Sequence, residues 1–328
     1  MFLGKSSKSK VYPPRNTSFT RTNARKFNGS CMRIGIDIGG TKIEGIALDA
    51  AGNILFRERI PTPAGDYHAT VATIASLVAH IESITKNTGS VGVGIPGAMS
   101  PVTGVVKNAN STCLIGMPLD RDLAQALGRE IRIANDADCF ALSEARDGAA
   151  AGYSSVFGVI LGTGVGGGIV IDGIPLAGPN AIAGEWGHNP MPGEITGRPA
   201  CYCGRAGCIE TYLSGPGLSA DHLAATGRSL PPPDIAAAAD SGDPDAEATM
   251  TRFEDRLARA LATVINILDP AAVVLGGGLS GIQRFYGNVP ALLPEYVFSD
   301  TVQTALLAPE YGDSSGVRGA AWLWPEHS

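Results

Sequence analysis

Residues 33–42 read Arg-Ile-Gly-Ile-Asp-Ile-Gly-Gly-Thr-Lys and carry the clearest structural signal in the chain. The first six residues, rich in β-branched isoleucine, predict a short strand that ends in a glycine-rich turn. A second strand is predicted over residues 43–48, and a third starts at residue 54 after another turn. Tight turns between consecutive strands predict an antiparallel meander. Because the glycine turn joins two strands and lacks Gly-Lys-Ser/Thr, it is not a Walker phosphate-binding loop.

The second half of the chain repeats this theme. Residues 156–161 predict a strand that ends in Gly162-Thr163-Gly164 and is followed by another strand and a turn. Two copies of this order indicate an internal duplication. Between and after the copies, strands alternate with helical patterns, which predicts an α/β protein in two lobes. The predicted helices cover residues 69–84, 119–127 and 251–268, and the predicted intervening strands cover residues 91–95, 131–134 and 272–275.

Composition excludes several classes of protein. The 328 residues suffice for two domains with cores of their own. No run of 18 apolar residues occurs, so no membrane-spanning helix is expected. Three of the six cysteines lie within eight residues of one another, which favours one metal site in a reducing compartment over a secreted disulfide framework. We therefore expect a cytoplasmic protein.

Charge is distributed unevenly along the chain, whose net charge is −6. Residues 1–31 carry seven Lys and Arg and no acid, so residues 32–328 carry about −13. An acidic body argues against nucleic acid as a partner. The first 31 residues lack the apolar core of a signal peptide, and we expect a basic, disordered extension. A start codon wrongly assigned upstream of Met32 explains this extension better than an organelle-targeting segment does, because the first predicted strand follows Met32 directly.

The glycine-rich loops suit phosphate binding. Gly39 and Gly40 let backbone N–H groups approach phosphate oxygens, Thr41 adds a hydroxyl donor, Lys42 adds charge, and Asp37 is able to hold Mg²⁺ through water. Taken alone, an ordinary hairpin turn is the favoured interpretation. However, Gly162-Thr163-Gly164 repeats the pattern, and Gly276-Gly277-Gly278 after a third strand suits adenine or ribose. Three such loops together predict a nucleotide site.

Cys201-x-Cys203-x4-Cys208 places three thiols on one loop, and His188 precedes them by thirteen residues. One histidine and three cysteines form a closed tetrahedral shell for a structural zinc ion. The alternative, three free thiols and a core histidine, explains the density of cysteines less well.

Carboxylates and an amide form a candidate acid–base site. Asn135 and Asp136 follow a predicted strand, and groups at the carboxyl end of a strand are often catalytic in α/β sheets. A sugar hydroxyl needs a base to accept its proton, and Asp136 is the candidate. The alternative is a loop that caps a helix starting near residue 139, with Asp138 as the cap. Glu185 and Glu210 flank the metal loop and suit sugar hydroxyls, since carboxylates accept several hydrogen bonds.

These motifs together resemble the ROK family, named for repressors, open reading frames and kinases. The resemblance rests on segments that match in order from residue 32 to residue 328. They are Asp37-x-Gly-Gly-Thr-Lys42, Gly94-Ile-Pro-Gly97, Asn135-Asp-Ala137, Gly162-Thr-Gly164, Gly184-Glu-Trp-Gly-His188, Cys201-x-Cys-Gly-x-x-Gly-Cys-x-Glu210 and Leu275-Gly-Gly-Gly278. Other segments, among them residues 107–112 and 266–270, resemble bacterial fructokinases that also accept mannose.

The resemblance implies an actin-like, hexokinase-type (ribonuclease H-like) fold of duplicated α/β domains that form two lobes with a cleft. The lobes would be residues 32–146 plus 313–328 and residues 147–312, the second with the zinc loop. It implies ATP-dependent phosphorylation of a hexose, most simply fructose, and a homodimer. Asp136 would be the base, Asp37 would serve Mg²⁺, and the three glycine loops would bind ATP. The sugar would be bound by Asn135, Glu185, His188 and Glu210, with Asn110 as a further candidate.

Two alternatives and one departure from the family pattern bear on this interpretation. Another sugar (glucose, N-acetylglucosamine or N-acetylmannosamine) is compatible with the same motifs. A sugar-sensing repressor of the same fold would need a helix-turn-helix, for which residues 1–31 are too short and too polar, and would not need Asp136. Asp138 stands where family members commonly have Asn, and we expect its side chain to face away from the site.

Overall fold

Two mixed sheets of five strands form the framework of the protein. We describe it from a computed structural model over residues 32–109, 111–312 and 315–324. The predictions for residues 1–31 and for Asn110 lie outside this part of the chain. The strands are β1 Arg33–Ile38, β2 Lys42–Leu48, β3 Ile54–Pro61, β4 Ser90–Ile95, β5 Ala98–Met99, β6 Val106–Lys107, β7 Ile131–Asn135, β8 Ser155–Leu161, β9 Val165–Ile171, β10 Ile174–Pro175, β11 Ala272–Gly276 and β12 Ala305–Leu307.

Helices cover both sheets, and several of them extend the predicted ranges. No helix among the residues described here is long and apolar enough to cross a membrane. The helices are α1 Tyr67–Thr85, α2 Leu119–Leu127, α3 Asp136–Arg146, α4 Glu210–Leu213, α5 Gly215–Thr226, α6 Pro232–Asp240, α7 Pro244–Leu268, α8 Phe285–Leu292 and α9 Ser315–Trp322.

The two sheets have the same topology, which confirms the predicted duplication. The first has the order β3-β2-β1-β4-β7 and the second β10-β9-β8-β11-β12. In each sheet the first three strands of the repeat form an antiparallel meander, and two later strands join in parallel. The strands of the first sheet lie before residue 147 and those of the second after it. We therefore keep the lobe boundaries given above as a proposal.

Three apolar clusters hold these layers together. One lies on the first sheet with α1 and α2, and another lies on the second sheet with α4 to α8. The third combines residues of both sheets with α3 and α9, for example Ile46 of β2, Val156 of β8 and Trp322 of α9. Because each fully buried aliphatic side chain contributes about 1.5–3 kcal/mol, this third cluster couples the two sheets through the two helices.

Helices α3 and α9 pack so closely that glycine is required at their contact. A Cβ added at Gly319 of α9 would overlap the backbone carbonyl of Cys139 in α3. On its other side α9 lies on β1 and β4, where a Cβ at Gly35 or Gly92 would overlap backbone oxygens of the helix. Backbone atoms cannot yield as a flexible side chain can, so these contacts fix the spacing of α9 between α3 and the first sheet.

We predict that Gly319→Ala lowers the free energy of unfolding by about 1–3 kcal/mol, because the added methyl group overlaps the backbone of α3. Urea denaturation measures this change. The matched control is Gly287→Ala in α8, where an added Cβ meets no atom within 4 Å. Gly287→Ala should stabilise the protein by about 0.5–1 kcal/mol, because alanine favours the helix. Equal effects of the two substitutions would contradict the packing argument.

Candidate active site

A cavity of about 570 Å³ collects residues from both halves of the chain. Of the residues singled out in the sequence, Asp37, Gly39, Gly40, Asp136 and Gly277 line it. Asp37 belongs to β1, Asp136 begins α3, and Gly277 follows β11 of the second sheet. The cavity therefore brings together the predicted base, the predicted Mg²⁺ residue and two of the three glycine loops.

The register of the first sheet explains why the two acids meet. Strands β1, β4 and β7 are parallel neighbours, with Asp37 opposite Gly94 and Ile95 opposite Asn135. Their carboxyl ends therefore lie at one edge of the sheet, where the side chains that follow each strand converge. A Cβ at Gly94 would lie 3.3 Å from Sγ of Cys139 and 3.4 Å from Oδ1 of Asp37, so β4 packs closely against both residues here.

Asp136 is held by the start of α3. The helix begins at Asp136 and its N-cap is Asn135. The alternative interpretation, a helix that starts near residue 139 with Asp138 as its cap, is therefore wrong. The Ala137 N–H donates to Oδ1 of Asn135 and to Oδ1 of Asp136, each at 2.8 Å. Nδ2 of Asn135 donates to the Gly97 carbonyl at 3.0 Å. The amide of Asn135 thus ties the end of β7 to the Gly94–Gly97 turn and orients the adjacent carboxylate.

Burial and like charge raise the pKa values of both acids. Burial and the charge of Glu185 raise the pKa of Asp136 to about 6, although its hydrogen bonds act in the opposite direction. Burial and the charges of Asp136 and Glu44 raise the pKa of Asp37 to about 7, although Lys42 and Arg59 act in the opposite direction. Asp136 is therefore mostly ionised at neutral pH, as a general base must be. A carboxylate pair in one cavity also favours a bound cation.

Asp138 lies close enough to the acids of the site for their charges to affect it. Burial and the charges of Asp136 and Glu185 raise its pKa to about 7. Its Oδ1 atom is buried and has no hydrogen-bond partner among the described residues. Asp138 is not among the residues that line the cavity, and the orientation of its side chain away from the site stays a prediction.

The loop between β10 and α4 brings the predicted metal ligands together. Sγ of Cys201 lies 3.7 Å from Nδ1 of His188, and Sγ of Cys203 lies 3.6 Å from Sγ of Cys208. One ligand atom from each of the four residues lies within 4.8 Å of those of the others. A tetrahedral zinc ion with Zn–S bonds of about 2.3 Å requires ligand separations of about 3.8 Å. The donor set and its spacing therefore fit such an ion.

Glu185 and His188 lie on the same loop and Glu210 at its end, whereas Asn135 lies at the end of β7. These four predicted sugar-binding residues are not among those that line the cavity. Nε2 of His188 lies 3.0 Å from the Tyr202 hydroxyl. Glu210 starts α4, and its Oε2 accepts a hydrogen bond from the Val165 N–H at 2.9 Å. A Cβ at Gly164 would lie 2.6 Å from the same oxygen, so glycine is needed there for the approach of Glu210. Glu185 lies near enough to Asp136 to affect its pKa.

The other predicted nucleotide residues are not among those that line the cavity, and they lie in or next to three turns. The Gly39 N–H donates to the Lys42 carbonyl at 2.9 Å and closes the first turn, which leaves Thr41 and Lys42 exposed. The Gly162 carbonyl accepts from the Gly215 N–H at 2.8 Å, which joins the loop with Thr163 and Gly164 to the start of α5. Gly276 is buried where a Cβ would overlap the ring of Phe140, while Gly277 and Gly278 are exposed.

Sequence reasoning missed part of the cavity wall. The segment after β3 and the residues around the 3₁₀ turn Thr112–Leu114 supply much of it, with Gly312 before α9 and Gly316 in its first turn. One signal was available: the Pro, Thr, Ala and Gly residues after β3 are typical of a loop shaped around a ligand. The missed residues are Ile38, Thr62, Pro63, Ala64, Gly65, Thr70, Pro96, Ser111, Thr112, Cys113, Leu114, Phe140, Ile160, Gly312 and Gly316.

The sequence is similar to those of known sugar kinases. The chain is 41% identical over 299 residues to the N-acetyl-D-glucosamine kinase of Yersinia enterocolitica, covering 89% of this chain and 99% of that protein. The kinase of the same name from Pectobacterium atrosepticum is also 41% identical, with coverage of 89% and 98%.

Solved structures also match this chain over most of its length. The ROK hexokinase of Thermus thermophilus superposes with a TM-score of 0.80 at 30% identity, covering 89% of this chain and 97% of that one. The ROK family glucokinase of Streptomyces griseus, solved with glucose and AMPPNP, gives 0.72 at 29% identity, with coverage of 88% and 98%. The ROK family model matches residues 33–327. The chain belongs to the ROK family.

Proposed function

We propose that this protein is an ATP-dependent sugar kinase with Asp136 as its catalytic base. The observation that carries the proposal is the shared cavity, which Asp136, Asp37 and the glycine turns line together. Relatives that match nearly the whole chain are named as sugar kinases, and one solved neighbour holds glucose and an ATP analogue. Phosphoryl transfer needs positioned reactants, a base and neutralised phosphate charge, and these residues can supply all three.

Each part of the site has one task in this reaction. The Asp136 carboxylate accepts the proton of the sugar hydroxyl while the hydroxyl oxygen bonds to the terminal phosphorus of ATP and the bond to the ADP oxygen breaks. Backbone N–H groups at Gly40 and Gly277 would bind phosphate oxygens. The Gly39 N–H is taken by the Lys42 carbonyl, so Gly39 would contribute by holding the turn and by allowing the phosphates to approach closely. Asp37 would hold Mg²⁺ through water, and this ion, when bound, neutralises phosphate charge. Thr41, Lys42, Gly162-Thr163-Gly164, Gly276 and Gly278 remain proposed parts of the nucleotide site.

N-acetylglucosamine is the substrate that we propose, in place of the fructose expected from the sequence. The relatives at 41% identity carry the name N-acetyl-D-glucosamine kinase, so they favour the N-acetylhexosamine alternative. Asn135, Glu185, His188 and Glu210 are the proposed sugar ligands. His188 is also a proposed metal ligand, through the nitrogen that faces Cys201.

We also propose that His188, Cys201, Cys203 and Cys208 bind zinc. The ion would supply no chemistry to the transfer; it would fix the shape of the loop that carries the sugar ligands. The homodimer and the cytoplasmic location stay predictions.

The substrate is tested by measuring ADP formation with Mg²⁺ and ATP on N-acetylglucosamine, N-acetylmannosamine, glucose, mannose and fructose in parallel. We expect the highest kcat/KM on N-acetylglucosamine. Asp136→Asn should lower kcat by about 10²–10⁴-fold, because no group of suitable pKa replaces the base. A preference for fructose would reverse the substrate assignment alone. Full activity of Asp136→Asn would contradict the assigned base.

The pH dependence of kcat/KM distinguishes the roles of the carboxyl groups. Because Asp136 must be ionised and its pKa is about 6, activity should fall as the pH drops through about 6. Asp138→Asn should leave this acidic limb of the pH profile unchanged, since Asp138, with a pKa of about 7, is still protonated when Asp136 ionises. Glu185→Gln is the positive control and should move the limb to lower pH by removing a negative charge. Movement of the limb in Asp138→Asn would show that Asp138 controls the base.

Metal content tests the zinc site. Protein purified from zinc-supplemented cells should contain one zinc ion per chain, measured by elemental analysis after gel filtration. Cys208→Ser should lose the ion and unfold more readily, since structural zinc contributes directly to folding. Cys113→Ser, which removes a free thiol outside the cluster, should retain it. Wild-type protein without bound metal would refute the site.

A further inference from the structure

The loop that carries Glu185 and His188 is fastened to the protein at a point away from its cysteines. Between His188 and Cys201 the chain makes a turn over residues 191–194, where the Glu194 N–H donates to the Met191 carbonyl at 3.3 Å. Gly193 in this turn has φ 81°, a conformation that favours glycine. The turn lies against α7, the long helix of the second half.

Two arginines of α7 hold this turn. Nε of Arg256 donates to Oε1 of Glu194 at 3.0 Å, and Nη2 of Arg259 approaches the same oxygen at 3.2 Å. Nη1 of Arg259 donates to the Pro192 carbonyl. The side chains of Arg256, Arg259 and Glu194 are 13%, 17% and 22% exposed, so solvent screens these ion pairs less than pairs on the open surface. We call Glu194, Arg256 and Arg259 the arginine clasp.

The arginines of the clasp are themselves oriented by acids. Nη1 of Arg256 donates to Oδ1 of Asp221 on α5 at 2.7 Å, and Nε of Arg259 donates to Oδ2 of Asp255 at 2.9 Å. A Cβ at Gly193 would overlap the Arg259 guanidinium, so the turn and the arginine fit only with glycine between them. Burial alone would raise the pKa of Glu194, but hydrogen bonds and charge from Arg256 and Arg259 hold it below its usual value.

The metal cluster cannot do the work of the clasp. All four of its ligands belong to one segment, residues 188–208, so a metal ion ties the loop to itself and not to the rest of the protein. At the two ends of the loop, Trp186 Nε1 donates to the Gly166 carbonyl at 3.0 Å and Glu210 accepts from Val165 of β9. The arginine clasp supplies an anchor in the middle of the loop, on a different element.

We propose that the arginine clasp positions the sugar-binding loop, so that its three residues determine sugar affinity without touching the sugar. This inference rests on the proposed function, because it takes Glu185 and His188 as sugar ligands. The glycine turns at Gly39 and Gly277 are not part of the loop. Release of the clasp therefore weakens sugar binding and leaves ATP binding and the transfer step largely as they are.

The test compares Arg259→Gln and Glu194→Gln with a matched control, Arg284→Gln. Arg284, at the start of α8, is 15% exposed and pairs with Glu247 and Glu254 of α7. Arg284→Gln therefore removes comparable ion pairs between an arginine and α7. For each variant, kcat and the KM values for N-acetylglucosamine and ATP are measured. Hydrogen–deuterium exchange of peptides from residues 184–210 is followed by mass spectrometry without substrate.

We expect the sugar KM to rise roughly tenfold in Arg259→Gln and Glu194→Gln, the size seen when groups that orient a ligand are lost. The kcat and the ATP KM should stay near wild type, and loop peptides should exchange faster. Arg284→Gln should lose thermal stability and change neither the sugar KM nor loop exchange. Arg259→Lys, which keeps a cation beside Glu194, should recover much of the affinity.

Three results would overturn the proposal: a sugar KM in Arg259→Gln equal to that of Arg284→Gln, faster loop exchange with an unchanged sugar KM, or a raised sugar KM without faster exchange. Failure of the proposed function is distinct, because the wild-type protein would then phosphorylate no sugar. The exchange measurement needs no substrate, so it would still decide whether the clasp anchors the loop.

Discussion

Three parallel strands, β1, β4 and β7, end at one edge of the first sheet, and the chemistry depends on this register. It places Asp37 at the end of β1 beside the turn after β4 and the Asn135–Asp136 pair after β7. A shift of one residue in any of these strands would turn its side chains to the opposite face. The amide of Asn135 adds a bond across the edge to Gly97, so the position of the base depends on two strands together.

The burial of several acids close together at this edge raises their pKa values. Asp136 ionises first because hydrogen bonds from the start of α3 partly offset its burial, and its charge then raises the pKa of Asp37 and Asp138. A divalent ion beside Asp37 would favour the ionised form of that residue, so metal binding and proton release there are coupled.

Much of this was predictable from the sequence, because it depends on local pattern. The strand at residues 33–38, helix α2 and the duplicated meander follow from periodicity and turns. The helix cap was assigned to Asp138 in one interpretation, although Asn135 caps α3, since both residue types suit the position. The burial of Asp138 near two other acids was not predicted, because a sequence does not show the surroundings of a side chain at a helix start. Contacts between distant residues, such as Arg259 with Glu194, leave no local pattern to detect.

The proposed sites for the two substrates are built in physically different ways. The turns of Gly39 and Gly277, proposed for the phosphates, directly follow strands of the two sheets. Three of the proposed sugar ligands, Glu185, His188 and Glu210, lie in or at the end of a loop of more than twenty residues with little regular structure of its own. Such a loop loses much conformational entropy when it is ordered, so several anchors are needed to keep its side chains in place. A metal ion at the proposed zinc site would reduce the internal freedom of the loop, and the contacts with β9 and α7 anchor the loop to the rest of the protein. With the proposed sugar ligands on this loop, substitutions in α7 would change sugar affinity through the position of the loop, without any contact with the sugar.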